Sequence, residues 1–205
     1  MRNKIHSALI ATSAIAIFAA GGVVAQAAFT KNPAEVEAGD YRLDSSHGRI
    51  TWKINHLGFS DYVGQFVNVQ AELKLDPDNP ENASLTATIP IADIAPNHDG
   101  LKRHLLNADF FDVENHPTAT FRSTRIVLDA PGSNEADVYG DLTIKGITKE
   151  VKIEVEFNQA GSMRGTYRAG FDGEATIKRS DFGINYGLPA LGDEVELHIE
   201  GEFVK

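Results

Sequence analysis

The chain contains no cysteine. That excludes a disulfide framework, a thiol nucleophile and any Cys-ligated metal centre, and it removes the lipobox of an acyl-anchored protein. Positive charge is also short: 19 Lys and Arg stand against 29 Asp and Glu, a formal net charge of −10. Such a surface repels nucleic acid and anionic lipid headgroups alike, so any lipid is expected inside the protein and not on a basic face. Ser45, Ser46 and His47 have no Gly-x-Ser-x-Gly elbow beside them, and no phosphate-cradling glycine loop is present. A hydrolase and a nucleotide enzyme are therefore disfavoured. The seven histidines lack the i, i+4 pairing of a zinc helix, and His98 and His104, six apart, do not share a helical face, so no metal site is expected.

What is present begins with a leader. Arg2 and Lys4 precede an apolar run from Ala8 to Val24, which exits through Ala25-Gln26-Ala27. This reads as a secretory signal peptide, residues 1–27, cleaved after Ala27; the Ala and Gly content and the small-x-small exit favour cleavage over a retained transmembrane anchor. Losing Arg2 and Lys4 leaves the mature chain more acidic still. Residues 28–39, polar with Pro33 and without period, read as a flexible N-terminal lead. Residues 40–205 read as one domain, with no repeat or low-complexity tract.

From Tyr41 onward the period is two. Ile50, Trp52 and Ile54 alternate with Arg49, Thr51 and Lys53, and His56-Leu57-Gly58 begins a turn. Val67, Val69, Ala71, Leu73 and Leu75 mark a second strand, with Phe66 in the opposite phase and a bulge predicted near residues 64–67. Leu85, Ala87, Ile89 and Ile91 mark a third, with Pro90 pointing to an edge or a bulge. Later strands follow at Thr118 to Leu128, Val138 to Ile144, Val151 to Phe157, Phe171 to Ile177 and Val195 to Phe203. Helical spacing occurs once, in Leu101, Leu105 and Ala108, with Asn97 or Asp99 available as N-cap and Pro117 forcing an extended exit.

Eight alternating strands with short connections predict an all-β, antiparallel meander closed into an eight-stranded barrel, with one short helical flap between the third and fourth strands. A two-sheet sandwich is the alternative. Ala71, Ala87, Gly140, Gly173, Ala175 and Gly201 share the inward phase of their strands, and so many small residues favour a hollow interior over glycines that merely bend the sheet.

Several motifs resemble the YceI-like family. They are Tyr41-x-Leu-Asp44 with His47, Gly64-x-Phe66, Asp109-Phe110-Phe111-Asp112 with Pro117, and Phe121-x-Ser123. The Gly140-to-Lys149 run and Arg179-x-Asp-Phe182-Gly183 complete the set, in order, across nearly the whole mature chain. That family comprises polyisoprenoid-binding, lipocalin-like proteins of the bacterial periplasm. The resemblance implies a lipocalin-like barrel whose tunnel holds a long isoprenoid lipid, such as an isoprenoid quinone or a polyprenyl phosphate. It implies a periplasmic carrier or sequestering protein, not an enzyme, with no catalytic residues and no catalytic cofactor. Neither nucleic acid nor stable membrane insertion is expected, and a homodimer is left open as a way to cover a protruding tail. An enzyme acting on an isoprenoid lipid, or a filled-core β domain binding a protein partner in envelope stress, are the alternatives.

Phase and motif membership select candidate ligand-binding residues. Ile50, Trp52, Ile54, Phe66, Phe121, Leu142, Ile144, Val155, Phe157, Phe171 and Phe182 are expected in the tunnel wall, about half of them touching ligand. Phe110 and Phe111 are expected to cap it. His56, continuing the phase of Ile54, is placed at the mouth, where an imidazole donates to a quinone carbonyl or a phosphate, against the blander reading of a turn histidine. Among Arg122, Arg125 and Arg179, Arg179 leads as an anchor for an anionic head group, because a guanidinium fork suits phosphate.

Overall fold

Segments that alternate apolar and polar residues become strands here, because a pleated strand sends successive side chains to opposite faces. The computed structural model describes residues 29–205, and the leader expected at 1–27 lies outside the described residues. In chain order the elements are β1 (Phe29–Thr30), β2 (Gly39–His56), β3 (Ser60–Phe66), β4 (Gln70–Leu75), β5 (Ser84–Pro90) and β6 (Ile94–Pro96). They continue with α1 (Asp99–Leu106), β7 (Thr118–Leu128), β8 (Glu135–Ile144), β9 (Ile147–Met163), β10 (Thr166–Lys178) and β11 (Leu191–Val204).

All pairings are antiparallel, and the order β2, β4, β5, β7, β8, β9, β10, β11 closes where β11 pairs back onto β2, with Leu197 opposite Trp52. β3 and β4 share one place in this ring: Gly39–Arg42 of β2 face β4, and Ile50–His56 face β3. The outcome is the expected closed eight-strand antiparallel barrel, and the sandwich is excluded. Strands β2, β5, β8 and β10 all point toward one end, which carries α1; the opposite end carries the lead, the β4–β5 loop and the β7–β8 loop.

Local departures from the sequence reading have local causes. The turn expected to begin at His56-Leu57-Gly58 forms, with Leu57 and Gly58 at left-handed φ, and it folds a further strand, β3, back on β2 as a hairpin. In place of a bulge near 64–67 the strand breaks at residues 67–69: Asn68 takes φ 58°, which an Asn tolerates, and β4 begins at Gln70 on another part of β2. Ile91 leaves the third strand for a 3-10 turn, Ile91–Asp93, because Pro90 has no amide to continue the ladder. The helix cap is His98, not Asn97 or Asp99; its Nδ1 accepts from the Leu101 amide at 3.3 Å. The lead is tied down and not loose: β1 pairs with β9, Glu35 accepts from Thr30 and Asn32, and Val36 is buried against Tyr41, Leu73 and Phe157. Tyr41 Oη donates to the Glu37 carbonyl at 2.5 Å while the Glu37 amide donates to Tyr167 Oη at 3.1 Å, so one residue of the lead is held between two phenols.

Candidate functional site

The inward phases of the eight barrel strands surround a cavity of about 550 Å³, within the range of small-molecule sites. Along β9 its wall is Val151, Ile153, Val155 and Phe157; along β10 it is Phe171, Gly173, Ala175 and Ile177; along β11 it is Leu197, Ile199, Gly201 and Phe203. Ala71 and Ala87 face each other across β4 and β5 on the opposite wall. Five of the six small inward residues singled out in the sequence therefore border the space. Gly140 does not, since the Phe121 ring lies where its Cβ would stand.

The cavity opens at the end opposite α1, between Pro33–Val36 of the lead, the β4–β5 loop and residues 131–135. The α1 end is filled. Leu105 of the helix packs with Trp52, Ile94, Phe110 and Ile184, all buried, and Phe66 meets Phe111 edge-on at 5.7 Å. The flap expected from the helical spacing thus caps the closed end.

This division sorts the candidate residues. Ile50, Phe121, Leu142, Val155, Phe157 and Phe171 border the cavity. Trp52, Ile54, Phe66, Phe110, Phe111 and Ile144 belong to the packed clusters at the α1 end. Trp52 continues the inward phase of Ile50 but lies beyond the cavity floor, stacked on Tyr62 with ring centroids 6.0 Å apart and covering Gly64. His56 is exposed at the end of β2, near Tyr62, at the closed end and not at the mouth. Phe182 is buried with Phe121, Val138 and Leu142 but does not border the space.

Arg179 is placed where no head group reaches it. It opens a 3-10 turn, Arg179–Phe182, ended by Gly183 at φ 72°, and only 5% of it is exposed. Its guanidinium donates to the carbonyls of Gly192 (2.7 Å), Ile184 (2.9 Å), Tyr186 (2.9 Å) and Leu191 (3.0 Å). Burial pulls its pKa below the usual guanidinium value, against the opposing field of Asp193. It is the strut that holds residues 183–192 across the barrel end. Of the other arginines considered, Arg122 is exposed and Arg125 stacks on the Tyr139 ring at 3.7 Å.

Residues that sequence reasoning missed are those of the mouth. Pro33, Ala34, Pro77, Pro80 and Pro131 come from three separate loops and carry no shared period, so only the closed barrel brings them together. Asp44, His47 and Glu202 set ligand atoms within 4.8 Å of one another, but a cation already sits there: Arg168 Nη1 donates to Asp44 Oδ2 and Glu202 Oε2, each at 3.0 Å. Among the described residues no helix is long and apolar enough to cross a membrane.

Known proteins are similar to this chain in sequence or in fold. A UPF0312 protein of Ectopseudomonas mendocina is 37% identical over 171 residues, covering 82% of this chain and 88% of its own. The crystal structure of Burkholderia cenocepacia BcnA superposes with a TM-score of 0.68 at 27% identity, covering 80% of this chain and 99% of that one. A polyisoprenoid binding domain from Saccharophagus degradans, implicated in plant cell wall breakdown, shares the fold with a TM-score of 0.61 at 11% identity, over 82% of this chain and 98% of its own. Residues 41–203, β2 to β11, match the YceI-like domain, and the chain belongs to that family.

Proposed function

We propose that this protein carries or sequesters a long isoprenoid lipid, an isoprenoid quinone or a polyprenyl phosphate, with its tail in the barrel cavity. The observation that carries the reading is the apolar space of about 550 Å³ inside a closed barrel, open at one end only. Burying an isoprenoid tail there contributes about 0.8 kcal/mol per methylene, so affinity needs few polar contacts. The polyisoprenoid binding domain of similar fold supports the same ligand class. The leader read at residues 1–27 supports a periplasmic location.

Ile50, Phe121, Leu142, Val155, Phe157 and Phe171 form the proposed wall. The proposed role is binding and not catalysis: the deep end is built from Ile50, Ile89, Leu142, Ile177 and Leu197, and the charged residues that border the space are at its mouth or in the outward phase of their strands. Solvent extraction of freshly purified protein followed by mass spectrometry tests this. A stoichiometric long-chain isoprenoid is the expected result. Chemical conversion of that lipid over time overturns the carrier in favour of an enzyme, and an extract empty of lipid, with no uptake of added isoprenoid, overturns lipid binding.

A further inference from the structure

Which head group the cavity accepts is written in the charges around its mouth. The charged residues bordering it are Asp78, Glu81, Glu135, Asp172, Glu200 and Arg49. Arg49 is the only cation among these, and it is not available: it stands in the outward phase beside inward Ile50, opposite Glu200 in the β2–β11 ladder, and its guanidinium pairs with that carboxylate. Asp78 and Glu81 lie on the β4–β5 loop and Glu135 opens β8 directly after the β7–β8 loop, so all three stand at the lips, and all three are exposed.

The deep end gives a charged group no alternative. Ile50, Ile89, Leu142, Ile177 and Leu197 form it, and a phosphate buried against them would have no donor to replace its lost water. Arg179, the guanidinium that suits phosphate best by type, is committed to four carbonyls beyond the cavity. A ligand therefore enters tail first and leaves its head among the lip carboxylates.

Resting on the carrier reading above, we infer that the lipid has an uncharged head, a quinone- or alcohol-like group, and that the mouth discriminates against polyprenyl phosphates. Phosphate beside three carboxylates is repelled, whereas a neutral oxygen head is not. Tail-matched probes test this: geranylgeraniol and geranylgeranyl phosphate, each titrated against the purified protein by displacement of an apolar fluorophore. At low ionic strength the alcohol is expected to bind at least about tenfold more tightly, a gap of ~1.4 kcal/mol. The gap narrows in high salt, because the lip is solvent-exposed and screened. The double variant Glu81→Lys with Glu135→Lys is expected to tighten the phosphate and leave the alcohol unchanged. Equal or tighter binding of the phosphate by the native protein overturns this inference and leaves carriage standing. Failure of both probes to displace the fluorophore overturns carriage, and this inference with it.

Discussion

At the scale of single residues, two polar side chains do structural work that their types do not announce. Arg179 satisfies four carbonyls that would otherwise face an apolar barrel end, and a lysine cannot span them with one ammonium. Arg179→Lys is expected to lower unfolding free energy by about 3 kcal/mol, the scale of charge-assisted hydrogen bonds lost in a buried site, read as a shift of the urea midpoint at unchanged slope. Asp44 is the second case. Hydrogen bonds from Ser46 first, then Arg168 and His47, hold its carboxyl well below the usual carboxylate range. A folded pKa below the unfolded one gives stability that is complete above about pH 4 and is lost as pH falls through the folded value. The native protein should therefore lose stability more steeply below pH 4 than Asp44→Asn does; parallel acid-unfolding curves would count against that role. Neither assignment was legible in the chain, since a guanidinium in a family-like motif serves an anion or a carbonyl cage equally well by composition.

Among the elements, α1 decides which end of the barrel is closed. Its eight residues are too few to be stable alone, so it persists by burying Leu105 against Trp52, Ile94, Phe110 and Ile184. Leu105→Ala is expected to cost about 2–5 kcal/mol by opening a void there, with faster amide exchange in α1 than in β8 or β9. Uniform exchange across those elements would show that the helix is not a separate cap. The helix and the eight strands that close the ring were readable from spacing. The β3 hairpin was not: Ser60–Phe66 has no clean alternation, and it is a strand because Leu57 and Gly58 turn it onto β2, where Gly64 makes room for the Trp52 indole.

For the molecule as a whole, the question is whether the barrel is filled or hollow. Ala87→Phe puts a ring into the space that Val155 and Ile199 also border. In a filled core that substitution costs about 1–3 kcal/mol of overpacking; in a hollow one it leaves the thermal midpoint unchanged or raised while lipid recovered by extraction falls. A loss of stability with full lipid retention would refute the hollow barrel. By itself the sequence determined the all-β class, the eight-strand count, the single flap, the acidic exterior and five of the small residues in the wall. All of these follow from strand and helix periodicity and from charge, which are local or additive properties of the chain. The structure alone decided where along the barrel axis each inward residue stands. Strands of 18 and 17 residues, β2 and β9, extend past the cavity, so phase says inward without saying how deep. Trp52 and Ile50 share a phase two residues apart, yet one packs beneath the helix and the other borders open space, because depth is set by strand register and by which loops cross each end.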